Sequence, residues 1–306
     1  MARLARIRRQ LLQPAATFTS SIPVTIESRY LTATAFIKAG SAPQTFDIPA
    51  GIAVDADYVY VTSGDHSCQV EKFDGKGDQL SQFGLCDGEG PGYLEINGTV
   101  ATDAAGSLWA TDGDGYLEHF NSKGNFLSLF CTSRAAEKFV PDCPLAADFT
   151  IADVYPVTIG LDLSGNIYIT TLNFPAVVKF GSSGNYLLSF GSMGSGNGQF
   201  TQGFPDGIAV SSTGDIYVVD SGNNRVQIFD ANGNYKSQFA TYGTGDGQFK
   251  YPSALAFDAE GNLYVTDIQG ERVEKFDSNG AYLSQFGSFG IEHGQFYVPL
   301  GIAIAQ

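Results

Sequence analysis

The chain has 306 residues and a formal net charge of −15, with 32 acidic residues against 17 Lys and Arg. Such a surplus of negative charge repels phosphate backbones and anionic membranes, which argues against nucleic-acid binding. The 37 Gly, 23 Phe and 15 Tyr residues are typical of a turn-rich all-β protein, and no stretch approaches the roughly 20 apolar residues of a membrane span.

The first twelve residues, MARLARIRRQLL, form a basic segment that differs from the rest of the chain. A secretory signal needs an apolar stretch of about 7–15 residues, which this segment lacks. We predict a disordered or loosely helical tail at residues 1–12, with the remnant of an export signal and a surface anchor as alternatives. Residues 13–306 are predicted to form a single domain.

A repeat runs through this domain and is marked by a recurring phenylalanine. Neighbouring copies lie about 47–49 residues apart, except for one interval of about 60, at Phe36, Phe83, Phe130, Phe190, Phe239 and Phe286. Self-similarity of this period is typical of repeat architectures.

Each copy contains four short apolar runs, which we name strands a to d. In the fourth full copy, counted from Pro49, they are Gly207–Val210, Ile216–Val219, Val226–Phe229 and Tyr235–Phe239. Ser-Ser-Thr-Gly separates a from b, and Asp-Ala-Asn-Gly separates c from d. These turn residues favour hairpins, so each copy is predicted to be a four-stranded antiparallel meander.

Strands a and b are apolar at consecutive positions, which indicates burial on both faces. Radial stacking of the meanders provides that burial, so we predict a six-bladed β-propeller. Residues 13–40 have the length of three strands, with Ile22–Glu27 as strand c, and residues 301–306 resemble a lone strand a. Pairing of these N- and C-terminal strands would close the ring and remove its sheet edges.

The two clearest copies are GQFTQGFPDGIAVSSTGDIYVVDSGNNRVQIFDANGNYKSQF, from Gly198, and GQFKYPSALAFDAEGNLYVTDIQGERVEKFDSNGAYLSQF, from Gly247. They resemble NHL repeats, and the resemblance covers nearly the whole chain. It implies a propeller that binds partners on one face, as in sensor propellers of bacterial receptor kinases. Some animal NHL propellers bind RNA through a basic face, which this acidic chain lacks.

The family's Asp…Arg pair matches Asp220 with Arg225 and Asp267 with Arg272. We interpret these pairs as structural, with Asp capping the b–c turn. The GQF triplets are interpreted in the same way, with Gly in a turn and Phe between blades.

Four cysteines, Cys68, Cys86, Cys131 and Cys143, fall on the b–c and d–a side of the ring. We predict the disulfides Cys68–Cys86 and Cys131–Cys143, with four free thiols as the alternative. Disulfides would indicate an oxidising compartment, so the protein is predicted to be extracellular or at the cell surface. The cysteine spacing does not favour zinc.

The b–c and d–a loops form the candidate binding face, because loops on a rigid scaffold carry function. Its candidate residues are Asp65, His66, Asn97, Asp112, Asp114, Asn173, Asp206, Asn223, Arg225, Ser253 and Arg272. We predict a monomeric binding module for a protein, peptide or glycan, with no cofactor and no metal.

The alternative is a metal-assisted lyase or hydrolase at the channel mouth that uses Asp206, Asp112 and His66. Amidating lyases share this type of propeller, but their zinc-binding His positions hold other residues here, such as Ser253 and Leu300. A fragment of a longer adaptor protein is a further alternative.

Overall fold

A computed structural model describes residues 49–304, apart from 64–68, 76, 85–97, 104, 112–114, 133–153, 173, 202–204 and 291–293. It contains five antiparallel four-stranded sheets, each with its strands in chain order, which form the blades of a propeller. Blade 1 consists of β1 (Pro49–Val54), β2 (Tyr58–Ser63), β3 (Val70–Asp74) and β4 (Gln79–Phe83). Blade 2 consists of β5 (Val100–Thr102), β6 (Leu108–Thr111), β7 (Tyr116–Phe120) and β8 (Phe126–Cys131). Blade 3 consists of β9 (Pro156–Leu161), β10 (Ile167–Thr171), β11 (Val177–Phe180) and β12 (Tyr186–Phe190).

Blade 4 is the copy whose strands were predicted individually, and all four are present. It consists of β13 (Pro205–Val210), β14 (Ile216–Asp220), β15 (Arg225–Phe229) and β16 (Tyr235–Phe239). A short parallel pair, β17 (Thr241–Tyr242) and β18 (Gln248–Phe249), closes the loop to blade 5. Blade 5 consists of β19 (Pro252–Phe257), β20 (Leu263–Asp267), β21 (Arg272–Phe276) and β22 (Tyr282–Phe286).

The hydrophobic core lies between blades, as the consecutive apolar residues predicted. Every residue of β14 is buried. Tyr217 and Val219 pack in one cluster with Phe249 and Leu255 of the blade 5 side, whereas Val218 packs in another with residues of blade 3. Successive side chains of one strand therefore serve two interfaces, which requires a sheet sandwiched on both sides.

The recurring phenylalanine of strand d fills a fixed place in the next blade. A β-carbon built on Gly280 in the c–d turn of blade 5 would lie 2.5 Å from the Phe239 ring. The same ring lies 4.8 Å from Phe276, centroid to centroid. Phe190 has an equivalent contact with Gly233 of blade 4. A large ring at the end of strand d thus requires a glycine in the following blade, and this explains why both recur with one period.

The inner strands of successive blades lie side by side around the centre, in the order β1, β5, β9, β13 and β19. Hydroxyl groups of the first or second strand link several blades to a carbonyl oxygen of the following blade. Thr62 donates to Gly98 at 2.8 Å, Thr158 to Asp206 at 2.6 Å. Gly207 approaches blade 5 so closely that an added β-carbon would lie 2.6 Å from the Ser253 carbonyl oxygen.

Residues 13–40 of the predicted sixth blade lie outside the described residues, so the pairing of chain ends stays a prediction. Its C-terminal part is described. Leu300 accepts a hydrogen bond from the Ser253 hydroxyl at 3.2 Å, and a β-carbon on Gly301 would lie 3.2 Å from Ile52 of blade 1. Ile302 and Ile304 are buried, and Ile304 forms a β-bridge. This segment therefore lies between blades 5 and 1, where the inner strand of a sixth blade is expected.

Candidate ligand-binding face

The candidate face is described in part. Six of its predicted residues lie outside the described residues, namely Asp65, His66, Asn97, Asp112, Asp114 and Asn173. Gly98, the residue after Asn97, occupies the repeat position of Val157 and Asp206, because the carbonyl oxygens of all three accept a hydrogen bond from a hydroxyl of the preceding blade. The predicted residue Asn97 therefore comes one position earlier in the repeat. Five predicted residues remain, and the structure brings them onto the side of blades 4 and 5 where the b–c and d–a loops emerge.

Arg225 is buried, and its guanidinium fastens the d–a loop that precedes blade 4. Its Nε donates to Asp220 at 2.8 Å, and Nη1 donates to Gln238 at 2.6 Å. Nη2 donates to the carbonyl oxygens of Gly196 at 2.8 Å and Gln199 at 2.9 Å. Because these bonds engage all three nitrogens, the guanidinium acts inside the protein and is withdrawn from the binding surface.

Arg272 has the same role in blade 5. It is buried, and Nη1 donates to the Thr244 carbonyl at 2.9 Å, while Nη2 donates to the Gly245 carbonyl at 3.2 Å. Nη2 also forms an ion pair with Glu274, and Nε lies 3.8 Å from Asp267. The arginine therefore ties the d–a loop to strand c and neutralises buried carboxylates.

Glu274 itself is fully buried, and it accepts the Gly247 amide at 2.9 Å. Burial raises the pKa of Glu274 to about 7, although Arg272 and the Gly247 amide act in the opposite direction. In blade 4 the equivalent residue is Gln227, which accepts the Gly198 amide at 2.9 Å and donates to the Gln199 carbonyl at 2.7 Å. Strand c thus holds the GQF turn with either an amide or a carboxyl group.

Asn223 is also engaged within blade 4. Its side-chain amide donates to Asp220 at 2.8 Å and to the Gly194 carbonyl at 3.3 Å. It belongs to a 3-10 turn, Ser221–Asn223, in the b–c loop. The turn ends at Asn224, whose φ of 55° lies in the left-handed region that Asn tolerates better than most residues.

Asp206 and Ser253 begin the inner strands of blades 4 and 5, so they lie nearest the channel. Both are half-buried. Asp206 accepts a hydrogen bond from the buried Ser221 hydroxyl. Burial, with the nearby charge of Asp206, raises the pKa of Tyr251. This group is polar and acidic, and it can hold a cation or hydrogen-bond donors at the channel mouth.

The d–a loops carry exposed apolar side chains that were not among the predicted site residues. Each stands three residues after the strand-d phenylalanine, and we call Met193, Tyr242 and Phe289 the apolar row. The loops share one backbone pattern, because each row residue forms a parallel bridge to the Phe of a GQF triplet. The signal available in the sequence was a large apolar residue in FGSM, FATY and FGSF, at one repeat position.

As expected for the GQF triplets, Phe200 and Phe249 are fully buried, whereas Phe296 of the third triplet is half-buried. The side-chain oxygen of Gln248 accepts the Gly245 amide at 3.0 Å, and Gln199 accepts Gly196 in the same way at 3.1 Å. The triplet thus closes its own loop and anchors it between blades. The row residue points outward from this fixed backbone.

Cys131 is engaged in a disulfide bond. Cys68, Cys86 and Cys143 lie outside the described residues, so both predicted pairings stay predictions. His119 is half-buried in β7, stacked on Trp109 with ring centroids 4.1 Å apart, and burial lowers the pKa of His119. Within the described ranges, no cluster of three or more His, Cys, Asp or Glu residues could hold a metal ion. None of the helices that the structure describes is long and apolar enough to cross a membrane.

Residues 203–229 match the NHL repeat family. Among solved structures, the chain is similar to streptogramin B lyase, with a TM-score of 0.55 and 16% identity, over 78% of this chain and 67% of that one. It is similar to a chain of a nidogen/laminin complex, with a TM-score of 0.58 and 19% identity, over 84% and 85%. A Bacteroides caccae protein of unknown function has a TM-score of 0.57 and 14% identity, over 84% and 85%. No curated protein matches the sequence. At these identities the structural likeness establishes the propeller fold, and the chain carries an NHL repeat within it.

Proposed function

We propose that this protein is a binding module that holds a protein, peptide or glycan on the face formed by its b–c and d–a loops. The observation that carries the proposal is the construction of the d–a loops. Buried Arg225 and Arg272 fix their backbones from inside, while the apolar row points into solvent. A surface that is already ordered loses little conformational freedom on binding, so its contacts yield more affinity.

The nidogen/laminin complex is a protein–protein assembly by its name. At 19% identity the likeness supports a shared scaffold, and the ligand of the present chain is proposed from its own loops. Because the disulfide of Cys131 favours an oxidising environment, we extend the proposal to an extracellular or cell-surface module. We further propose that it acts as a monomer.

The experiment compares two variants that each add two arginines to exposed polar positions. Ser195→Arg with Thr244→Arg blocks the d–a loops, and Ser182→Arg with Ser212→Arg alters turns on the opposite side of the ring. Peptide libraries and glycan arrays are screened with the wild-type protein. We expect the ligand found to bind the first variant about tenfold or more weakly, a loss of about 1.4 kcal/mol, and the second unchanged. Equal binding to both, or no ligand in either screen, would contradict the proposal.

A metal-assisted lyase or hydrolase is the second candidate. The observation in its favour is the half-buried Asp206 beside Ser221 at the channel mouth, and the fold is shared with streptogramin B lyase. It also needs Asp112 and His66, which lie outside the described residues. Metal analysis of the purified wild-type protein and of its Asp206→Asn variant tests this candidate. The substitution should reduce the bound zinc, calcium or magnesium.

A further inference from the structure

The apolar row places large side chains in solvent at one position of three successive loops. Met193 is 57% exposed, Tyr242 69% and Phe289 62%. Tyr297, at 66% exposure, adds a second ring 6.0 Å from Phe289, centroid to centroid. Single exposed apolar residues are ordinary, but these share one repeat position on the face where the d–a loops emerge, and Phe289 with Tyr297 forms an adjacent pair.

The backbone beneath the row is held in place at each loop. Gly194 donates to the Phe200 carbonyl at 2.8 Å, and Gly243 donates to the Phe249 carbonyl at 3.0 Å. The same bond, at 3.2 Å, joins Gly290 to Phe296. The three loops therefore present their side chains from equivalent and pre-ordered positions.

The chemistry of the row favours a protein ligand over a glycan. Aromatic residues and Met are enriched where proteins contact each other. Orientation of a polar ligand needs convergent polar groups, yet Gln199 and Gln248 turn their amides into their own loops. The large exposed side chains that these loops offer to a partner are thus apolar, beside small polar ones such as Ser195 and Thr244.

The charges around the row favour cations on the partner. Arg225 and Arg272 are buried against carboxylates. In the described loops of blade 5, Asp246 is exposed and Glu271 is half-buried, against one half-buried cation, Lys250. The whole chain has a formal net charge of −15. Opposite charge on a partner speeds encounter and selects among partners.

We infer that the apolar row, together with Tyr297, docks a segment of a partner protein that carries apolar side chains flanked by Lys or Arg. The inference rests on the proposed binding function and names the partner's chemistry and the residues that receive it. The apolar side chains of the segment contact the row, and its cations face Asp246 and Glu271.

The test uses random dodecapeptides displayed on phage, selected on the full-length wild-type protein. The row variant is Met193→Ser, Tyr242→Ser and Phe289→Ser. The control is Leu80→Ser, Leu187→Ser and Leu283→Ser, because these leucines on the outermost strands are 52%, 45% and 49% exposed. Both variants change exposed side chains, and their melting temperatures check that they fold.

We expect the selected peptides to combine apolar residues with Lys or Arg. In fluorescence anisotropy the best synthetic peptide should bind the row variant about tenfold or more weakly, and the control within about twofold. Asp246→Asn should weaken peptide binding more at low salt than at high salt, because salt screens the attraction between exposed charges. Peptides of acidic composition, or equal losses in both variants, would overturn the inference.

The outcomes separate the inference from the proposed function. A glycan that binds the wild-type protein and is lost in the Ser195→Arg and Thr244→Arg variant would overturn the inference and leave a binding module. A peptide that binds this face without using the row would do the same. If neither a peptide nor a glycan binds the wild-type protein, both the inference and the proposed binding function are overturned.

Discussion

Replacing Glu274 with Gln should abolish a pH dependence of stability that arises from one buried carboxyl group. The pKa of Glu274 in the folded protein is about 7, against an ordinary value of 4.5. The folded state therefore holds the proton more tightly than the unfolded state. The resulting stabilisation is complete below about pH 4.5 and is lost as the pH rises through 7.

The magnitude follows from the two values, since each pKa unit corresponds to about 1.4 kcal/mol. Glu274→Gln should match the wild-type protein at pH 5 within about 1 kcal/mol. At pH 8 it should be more stable by on the order of 3 kcal/mol. Gln227 in blade 4 already occupies the equivalent position with good hydrogen bonds, so the substitution has a template in the same chain.

The assay is urea unfolding of both proteins at pH 5, 6, 7 and 8, with the difference in unfolding free energy plotted against pH. Other titrating groups, such as Glu71, whose pKa burial also raises, are common to both and cancel. Gln227→Glu is the reciprocal control and should lose stability as the pH rises. A difference that stays constant from pH 5 to pH 8 would refute the reasoning.

Three further substitutions test the packing. Ala240→Gly should stabilise by about 0.5–1 kcal/mol, because Ala240 has a φ of 69° where Gly287 stands in the next blade; a loss of stability in urea unfolding would contradict this. Phe239→Ala should cost about 2–4 kcal/mol by emptying the place between blades 4 and 5, and a thermal shift near zero would show that the ring contributes little. Gly207→Ala should cost about 2–3 kcal/mol because its β-carbon would meet the backbone of Ser253, and retention of wild-type stability would mean that the inner strands can separate.

The blade could be predicted closely from sequence because local and long-range signals agree. Asp-Ala-Asn-Gly fixes a hairpin by its own turn chemistry, and β16 spans the predicted residues, Tyr235–Phe239. Consecutive apolar residues in β14 required two neighbours, which a meander lacks until it is stacked. The sixth blade is supported by the burial of Ile302 and Ile304, and its remaining strands stay a prediction.

The binding face was less predictable because burial decides the role of a loop residue. Arg225 and Arg272 were assigned both to structural pairs and to the ligand face, and only their bonds to loop carbonyls separate the two roles. Phe249 and Tyr242 lie in one short loop, yet the first is buried and the second is exposed. Their composition does not distinguish them, since the outcome depends on which way the bridged backbone turns each side chain.

Several hydroxyl links near the centre point in the same rotational sense, from one blade to a carbonyl of the segment that follows it. One link points the other way, because the Thr102 hydroxyl of blade 2 donates to the Val54 carbonyl of blade 1 at 2.8 Å. Through the forward links, a blade offers a hydroxyl donor to the blade after it and a carbonyl acceptor to the blade before it. Duplication or loss of a whole repeat would join the same two sides again and keep these forward donors and acceptors paired. Gene rearrangement can thus change the number of blades and preserve these links at the new junction.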